Sequence, residues 1–143
     1  MITHEVSPEE LLVLFKSAWW TASRDLDGVT AMLERSDVVF ALRVEGRLAG
    51  FARVLTDGVY LAMVLDVVVA PEHRGRGFGA ALMDAIVNYP MVSGARSVEL
   101  VCQPELMPFY RRWGFTGEVG RSRLMRRTTD ASLLTHSPLT PAP

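Results

Sequence analysis

The stretch LDVVVAPEHRGRGFGAALM, residues 65–83, decides the fold of this chain. It runs from an apolar strand, through a loop with three glycines and two arginines, into a helical pattern. A helix N-terminus presents backbone N–H groups without intrahelical partners, and the helix dipole adds positive charge there. Glycines let an anion approach the backbone closely, and Arg74 and Arg76 add charged donors. The stretch therefore predicts an anion-binding turn, suited to phosphate, between a strand and a helix.

Two helices are predicted before the first strand. Ser7, Pro8 and Glu10 form a capping-box pattern, and apolar residues at helical spacing extend it into a helix near 8–20. A second, shorter helix is predicted near 27–35, with Asp27 as its N-cap.

An antiparallel meander is predicted next, because alternating residues are interrupted by the turn signals Glu45-Gly46 and Asp57-Gly58. Its three strands cover residues 39–45, 48–55 and 59–70. After the glycine loop the patterns predict a helix over 78–89 that stops at Pro90, a strand over 97–102, a short helix that ends at Gly114, and a last strand near 119–127.

Composition limits the class of protein. The 143 residues fit one domain, predicted over 1–128, and the proline-containing, non-periodic tail 129–143 is predicted to be disordered. A net charge of −1 argues against a nucleic-acid partner. The single cysteine, Cys102, excludes a disulfide framework within the chain, and no metal site is predicted. No secretory signal and no apolar run of about 18 residues is present, so we expect a cytoplasmic protein without membrane contact.

Two known phosphate-binding loops fit the glycine loop poorly. A P-loop requires Lys and Ser or Thr after its last glycine, and neither follows Gly79. A dinucleotide-binding loop has the spacing Gly-x-Gly-x-x-Gly, and Glu99 does stand about 20 residues on. That loop, however, follows the first strand of a mainly parallel sheet, whereas here a meander comes first.

The segments RGRGFG, residues 74–79, and PFYRRWGF, residues 108–115, resemble two motifs of the GCN5-related N-acetyltransferase superfamily, in the same order. The resemblance covers roughly residues 38–127. It implies an α/β fold, with a mixed, mostly antiparallel sheet flanked by helices and a V-shaped opening between the central strands. The region 50–79 also resembles, less closely, the plant and cyanobacterial arylalkylamine (serotonin-type) acetyltransferases.

The resemblance implies acetyl-CoA as co-substrate. In such enzymes the loop and helix N-terminus hold the pyrophosphate, and the edge of the preceding strand pairs with the pantetheine arm. An N–H near Val67 would stabilise the oxyanion; such donors contribute about 3 kcal/mol. The cofactor-binding residues implied here are Val67, Val68, Val69, Arg74, Gly75, Arg76, Gly77, Phe78, Gly79 and Ala80.

Proton transfer is assigned to Tyr110 and Asp66. The resemblance implies that Tyr110 is the general acid that protonates the departing thiolate. The alternative is that Tyr110 only packs a short helix. Asp66 could orient the amine or a water that accepts its proton, and a β-bulge could re-aim it relative to Val67 and Val69. A buried or paired structural aspartate remains the alternative for Asp66.

The acceptor pocket is expected between the N-terminal helices and the strand hairpin. Its candidate residues are Trp19, Trp20, Arg24 and Tyr60, and Arg53 could also reach it, although all of them could simply pack. The predicted function is acetyl transfer from acetyl-CoA to a primary amine of a small molecule, possibly within a homodimer. The open alternatives are acetylation of a protein lysine or N-terminus, and a CoA-binding regulatory module without turnover.

Overall fold

The computed structural model describes residues 1–135 and 137–143. The chain divides into two compact units. The first comprises Met1–Val101 together with Ala142–Pro143, and the second comprises Cys102–Pro141. The first unit contains five strands and four helices among the described residues: β1 Ile2–Thr3, α1 Pro8–Phe15, α2 Leu26–Arg35, β2 Val38–Val44, β3 Arg47–Thr56, β4 Leu61–Val69, α3 Phe78–Val87, α4 Pro90–Ser93 and β5 Ser97–Leu100.

The sheet has the strand order β1-β2-β3-β4-β5. The pairs from β1 to β4 are antiparallel, which confirms the predicted meander, and β5 pairs parallel to β4. The β4–β5 pairing runs only from Leu61↔Ser97 to Val64↔Leu100, while β4 continues to Val69. Over 65–69, β4 is therefore paired with β3 on one side and, among the described strands, with none on the other.

Helices cover both faces of the sheet. Phe15 of α1 meets Phe51 of β3 edge to face, and this cluster includes Val29 of α2 and Val68 of β4. The next residue along β3, Gly50, faces Leu82 of α3. Because neighbouring strand residues point to opposite faces, α1 and α2 lie on one face and α3 on the other.

A β-bulge interrupts the β3–β4 ladder. Phe51 pairs with Val68 and Arg53 pairs with Leu65, so Asp66 and Val67 together oppose the single residue Ala52. Asp66 has φ +56°, a left-handed conformation that L residues other than Asn and Asp rarely adopt. The bulge shifts the alternation of side chains, as bulges beside functional sites do.

The first helix is shorter than the prediction of 8–20, because α1 ends at Phe15 and the following residues form turns. The hydroxyl of Thr21, which is fully buried, donates to the Phe15 carbonyl at 2.7 Å, and the Ser17 hydroxyl donates to the Leu14 carbonyl at 2.6 Å. These hydroxyls donate hydrogen bonds to carbonyls at the end of the helix and stabilise the turns that follow.

Two other predicted helix ends are also wrong. The N-cap of α2 is Asp25, whose carboxylate accepts from the Gly28 N–H at 2.8 Å, and Asp27 lies inside the first turn. Pro90 does not stop α3 directly, since α3 already ends at Val87 and Pro90 begins α4. Proline fits this place because the first helical position needs no N–H donor.

The second unit contains a 3₁₀ turn at Pro104–Leu106, the short helix α5 Met107–Arg111 and a 3₁₀ turn at Ala131–Leu134. The strand predicted near 119–127 is wrong. Gly120 adopts φ +67°, which interrupts an extended backbone, and every residue of 119–127 is exposed, so the segment has no buried face. Disorder of the tail 129–143 stays a prediction, and His136 within it lies outside the described residues.

Candidate active site

The glycine loop enters α3 through left-handed backbone. Gly75 has φ +73° and Gly77, the N-cap of α3, has φ +84°. Among the described residues no side chain caps α3, whereas α1 and α2 are capped by Ser7 and Asp25. A Cβ atom built on Gly75 or Gly77 would meet no atom of the described part of the chain within 4 Å. The start of α3 therefore combines a positive dipole end with open space, as a phosphate site requires.

The two arginines of the loop are positioned differently. Nε of Arg74 donates to the carbonyl of Val69 at 3.1 Å, which ties this side chain to the end of β4. Arg76 is exposed, lies over the Phe78 ring at 5.5 Å and contacts Nδ1 of His73 at 3.4 Å. Arg74 is thus held in place beside the loop, while Arg76 lies at its rim.

Gly79 has a different role from the other two glycines. It is buried, and a Cβ at this position would lie 2.6 Å from the carbonyl oxygen of Pro143. Glycine therefore permits a close approach of backbone to backbone in the first turn of α3, and any larger residue would displace the segment 142–143.

The segment Val67–Val69 forms the end of β4 beside the loop. Val68 and Val69 are buried, and Val67 is half-buried at the bulge. Val68 packs in the cluster under α1 and α2. These side chains belong to the core, so an extended ligand would meet this segment through backbone N–H and C=O groups at the edge away from β3.

Asp66 lies between two arginines. Nη1 and Nη2 of Arg24 donate to its two oxygens at 2.7 and 3.0 Å, and Nε of Arg53 donates to Oδ2 at 2.7 Å. The Asp66 side chain is only 6% exposed, compared with 31% for Arg24 and 16% for Arg53. Asp66 is thus a buried, paired aspartate, the alternative left open by the sequence.

The arginines set the protonation of Asp66. Burial by itself would raise its pKa, but the hydrogen bonds and charges of Arg24 and Arg53 outweigh that cost, and the pKa lies below its usual range. Asp66 is therefore ionised near neutral pH, with both oxygens already accepting hydrogen bonds. This arrangement suits a residue that positions its neighbours better than one that accepts a proton.

An open cavity of about 420 Å³ lies beside this cluster. It is lined by Ser23, Arg24, Asp25, Gly28, Met32 and Arg53. Arg24 is thus the one acceptor-pocket candidate that the structure brings to the cavity, with Arg53 added.

The other three acceptor-pocket candidates lie elsewhere among the described residues. Trp20 packs against the core cluster under α1 and α2. The Trp19 ring meets the Trp20 ring edge to face. Tyr60 is 66% exposed at the β3–β4 turn. A role for Trp19, Trp20 or Tyr60 in acceptor binding stays a prediction.

Tyr110 belongs to the second unit. It lies in α5, is buried, and packs edge to face with Phe109 and Phe115. Burial, with a smaller contribution from Cys102, raises the pKa of Tyr110 well above its ordinary value. The phenol is therefore protonated at neutral pH, and its role as general acid stays a prediction.

Two absences hold for the described part of the chain. No group of three or more His, Cys, Asp or Glu side chains is placed to hold a metal ion. No helix is long and apolar enough to span a bilayer.

The sequence model of the Acetyltransferase (GNAT) family matches residues 5–115, most of the chain. The chain belongs to this family. The structure of a Xanthomonas campestris pv. campestris protein assigned to the GNAT family is 32% identical to it. That match covers 90% of this chain and 92% of the other, with a TM-score of 0.79. Family membership confirms the resemblance drawn from the two motifs and the predicted fold class.

Two curated relatives match with lower coverage. The uncharacterized N-acetyltransferase ycf52 of Porphyra purpurea is 30% identical over 79% of this chain and 67% of its own length. The chloroplastic serotonin N-acetyltransferase 2 of Oryza sativa subsp. japonica is 40% identical over 58% of this chain and 44% of its own. The chain spans about half to two thirds of the length of these relatives. The cytoplasmic location and the homodimer stay predictions.

Proposed function

We propose that this GNAT domain transfers the acetyl group of acetyl-CoA directly to the primary amine of a small molecule. The observation that carries the proposal is the start of α3, where Gly75 and Gly77 leave open space at a helix N-terminus without a side-chain cap. A pyrophosphate fits there because it needs N–H donors, positive charge and close backbone approach together.

The backbone of the first unit would orient the substrate thioester. The β4 edge over residues 67–69 offers N–H and C=O groups to the pantetheine arm, in the manner of an added strand. An N–H at Val67 would donate to the acetyl oxygen as negative charge develops on it. Arg74, tied to the Val69 carbonyl, stands where it can donate to phosphate oxygens.

The reaction needs three proton transfers. The ammonium form of the acceptor would first lose a proton to solvent, because both oxygens of Asp66 already accept hydrogen bonds from arginines. The neutral amine attacks the acetyl carbon, the C–S bond breaks, and the thiolate leaves with the electron pair. Tyr110, whose phenol is protonated at neutral pH, would protonate that thiolate, and the proton that the nitrogen loses as the amide forms would restore the phenol.

The cavity and one relative support a small-molecule amine as the acceptor. A cavity of about 420 Å³ has the size for a small amine. The rice relative is named a serotonin N-acetyltransferase, which makes an arylalkylamine one candidate acceptor for this chain.

The first test combines cofactor binding with release of the CoA thiol. Calorimetry should show binding of acetyl-CoA to the wild-type chain, and binding should be abolished by Gly77→Asp, which adds a carboxylate in the anion site. Gly46→Asp is the matched control, because Gly46 also has a positive φ and open space but lies in the β2–β3 turn. Normal acetyl-CoA affinity in a folded Gly77→Asp protein would refute the anion site.

The general acid is tested separately by Tyr110→Phe. We expect thiol release to fall at least about tenfold while acetyl-CoA affinity is unchanged. Tyr89→Phe is the control, since Tyr89 packs against His4 and Phe40 in the first unit. Unchanged turnover in Tyr110→Phe across the pH range would show that another group, or water, is the acid.

A further inference from the structure

We propose that Arg53, with Arg24 beside it, binds a carboxylate on the acceptor, so that the preferred substrate is an amine that also carries an acid group. The proposal rests on the proposed function and narrows its substrate class. It comes from the arrangement of these two arginines around Asp66 and the cavity they line.

Arg53 has donor capacity left over. Only its Nε atom bonds to Asp66, and within the described residues Nη1 and Nη2 make no hydrogen bond. These two atoms are not sealed in the core, since the described part of the chain has no buried side-chain nitrogen without a partner. Because Arg53 lines the cavity, its terminal nitrogens are available to a ligand there.

Arg24 is held rigidly at the same wall. Both of its terminal nitrogens bond to Asp66, Nη1 also contacts the sulfur of Met32 at 3.8 Å, and the guanidinium lies over the Phe15 ring at 4.9 Å. A side chain held by these contacts loses little further freedom when a ligand binds beside it.

The wall offers unused hydrogen-bond donors near Arg53 rather than surplus charge. Asp66 lies behind the arginines and does not line the cavity, and its single charge is shared by two guanidiniums. The acidic residue among the lining residues is Asp25, which uses Oδ1 to cap α2 through the Gly28 N–H. A guanidinium with two parallel donors matches a carboxylate in fork geometry.

The position of the cluster connects it to acetyl transfer. Arg53 pairs across the sheet with Leu65, and its partner Asp66 directly precedes Val67 at the bulge. Val67–Val69 is the segment proposed to bind the pantetheine arm. A ligand whose acid group is held by Arg53 would therefore lie alongside the strand that presents the thioester.

The experiment compares amines that differ by one carboxylate. Thiol release is measured with propylamine against 4-aminobutyrate and with phenethylamine against phenylalanine, in the wild type, Arg53→Gln and Arg47→Gln. Arg47 is the control because it is exposed at the start of the same strand. We expect kcat/KM in the wild type to be at least about tenfold higher for the acid in at least one pair.

Arg53→Gln should remove most of that preference by raising KM for the acid about tenfold or more. Loss of the Arg53–Asp66 bond acts on both amines of a pair, so the ratio of their kcat/KM values isolates the effect of the carboxylate. Arg47→Gln should behave as the wild type. If Arg53→Gln does not fold, Arg53→Lys replaces it, and we expect this variant to keep the charge and lose the fork geometry.

Failure of this proposal and failure of the proposed function give different results. Equal kcat/KM within both pairs, or a preference that survives in Arg53→Gln, would refute the carboxylate subsite and leave the acetyltransferase intact. A preference for O-phosphoethanolamine over ethanolamine, with none for the carboxylates, would also refute it. Absence of acetyl-CoA binding would refute the proposed function itself. If no amine is turned over, the affinities of the protein for 4-aminobutyrate and for propylamine are compared by NMR titration with CoA present. Equal affinities would overturn the carboxylate subsite.

Discussion

Glu10 and Asp66 both accept paired hydrogen bonds from an arginine, but Glu10 lies in the first turn of a helix and Asp66 lies in a β-bulge. Arg43 donates to the two oxygens of Glu10 at 2.8 Å each, and Glu10 also completes the capping box with Ser7 at the start of α1. Asp66 receives Arg24 in the same bidentate way and Arg53 in addition, from a left-handed position in a bulge.

The difference separates a stabilising ion pair from a cluster suited to function. Glu10 pairs one carboxylate with both terminal nitrogens of one guanidinium, and its second role is to complete the helix cap. Asp66 draws two guanidiniums together in strained backbone beside a cavity. Strained backbone and unused donors at a cavity are typical of ligand sites, whereas helix caps are typical of stability.

The largest effect is expected for Asp66→Asn, which removes the charge between two arginines and keeps a residue that tolerates positive φ. We expect the free energy of unfolding to fall by about 2–3 kcal/mol, somewhat less than for a fully buried pair, because Arg24 and Arg53 are partly exposed. Urea denaturation measures it. In the enzyme assay KM for the acceptor should rise, with no loss of an acid limb in the pH profile of kcat/KM. Loss of that limb would mean that Asp66 is the general base.

A smaller effect is expected for Glu10→Gln. This change removes the charge opposite Arg43 and weakens the capping box, so the free energy of unfolding should fall by about 1–2 kcal/mol. Turnover per folded molecule should stay at the wild-type value, because Glu10 does not line the cavity and pairs with Arg43 rather than with the Asp66 cluster. A changed acceptor KM in Glu10→Gln would remove the distinction between the two carboxylates.

The strain at the bulge is measured by comparing Asp66→Ala with Asp66→Asn. Both variants lack the charge, but alanine tolerates φ +56° less well than asparagine. The alanine variant should therefore be less stable by about a further 1 kcal/mol in the same denaturation experiment. Equal stability would show that the bulge relaxes once the arginines are released, and that the cluster itself imposes the left-handed conformation.

The smallest effect is expected for the pH dependence of the stability that Glu10 contributes, which does not change near neutral pH. Hydrogen bonds from Arg43 and from the Ser7 N–H lower the pKa of Glu10 from 4.5 to about 2, so between these values the unfolded chain binds more protons than the folded one. Stability from Glu10 is thus complete above about pH 4.5 and is lost as pH falls toward 2. Urea midpoints of Glu10→Gln should approach those of the wild type over that window. A constant difference down to pH 2 would contradict the lowered pKa.

Much of the fold could be predicted because it depends on local chemistry. Turn signals at Glu45-Gly46 and Asp57-Gly58 separated the strands, and the capping box placed the start of α1. Errors arose where a distant or unexpected hydrogen bond competed with a periodic pattern. The Thr21 hydroxyl donates a hydrogen bond to the Phe15 carbonyl, which favours the end of α1 at this residue, although apolar spacing continues to Ala18.

The cluster of Asp66 with its two arginines also could not be predicted from local patterns. Arg24 and Asp66 stand 42 residues apart in sequence, and Arg53 and Asp66 stand 13 apart. No periodicity or motif links them, so the sequence suggested Arg24 and Asp66 as single candidates and left Arg53 unplaced. The tryptophan pair was the stronger signal in the sequence, and neither ring lines the cavity.

The sequence by itself determined the glycine turn before α3, because the left-handed backbone at this turn favours glycine, and that requirement is local. It also determined the meander, through alternation and turns. Only the tertiary structure decided how Asp66 is used. The bulge opposite Ala52 turns its carboxylate toward Arg24 and Arg53, and folding alone brings these three side chains together, since charge attraction acts through space and leaves no pattern along the chain.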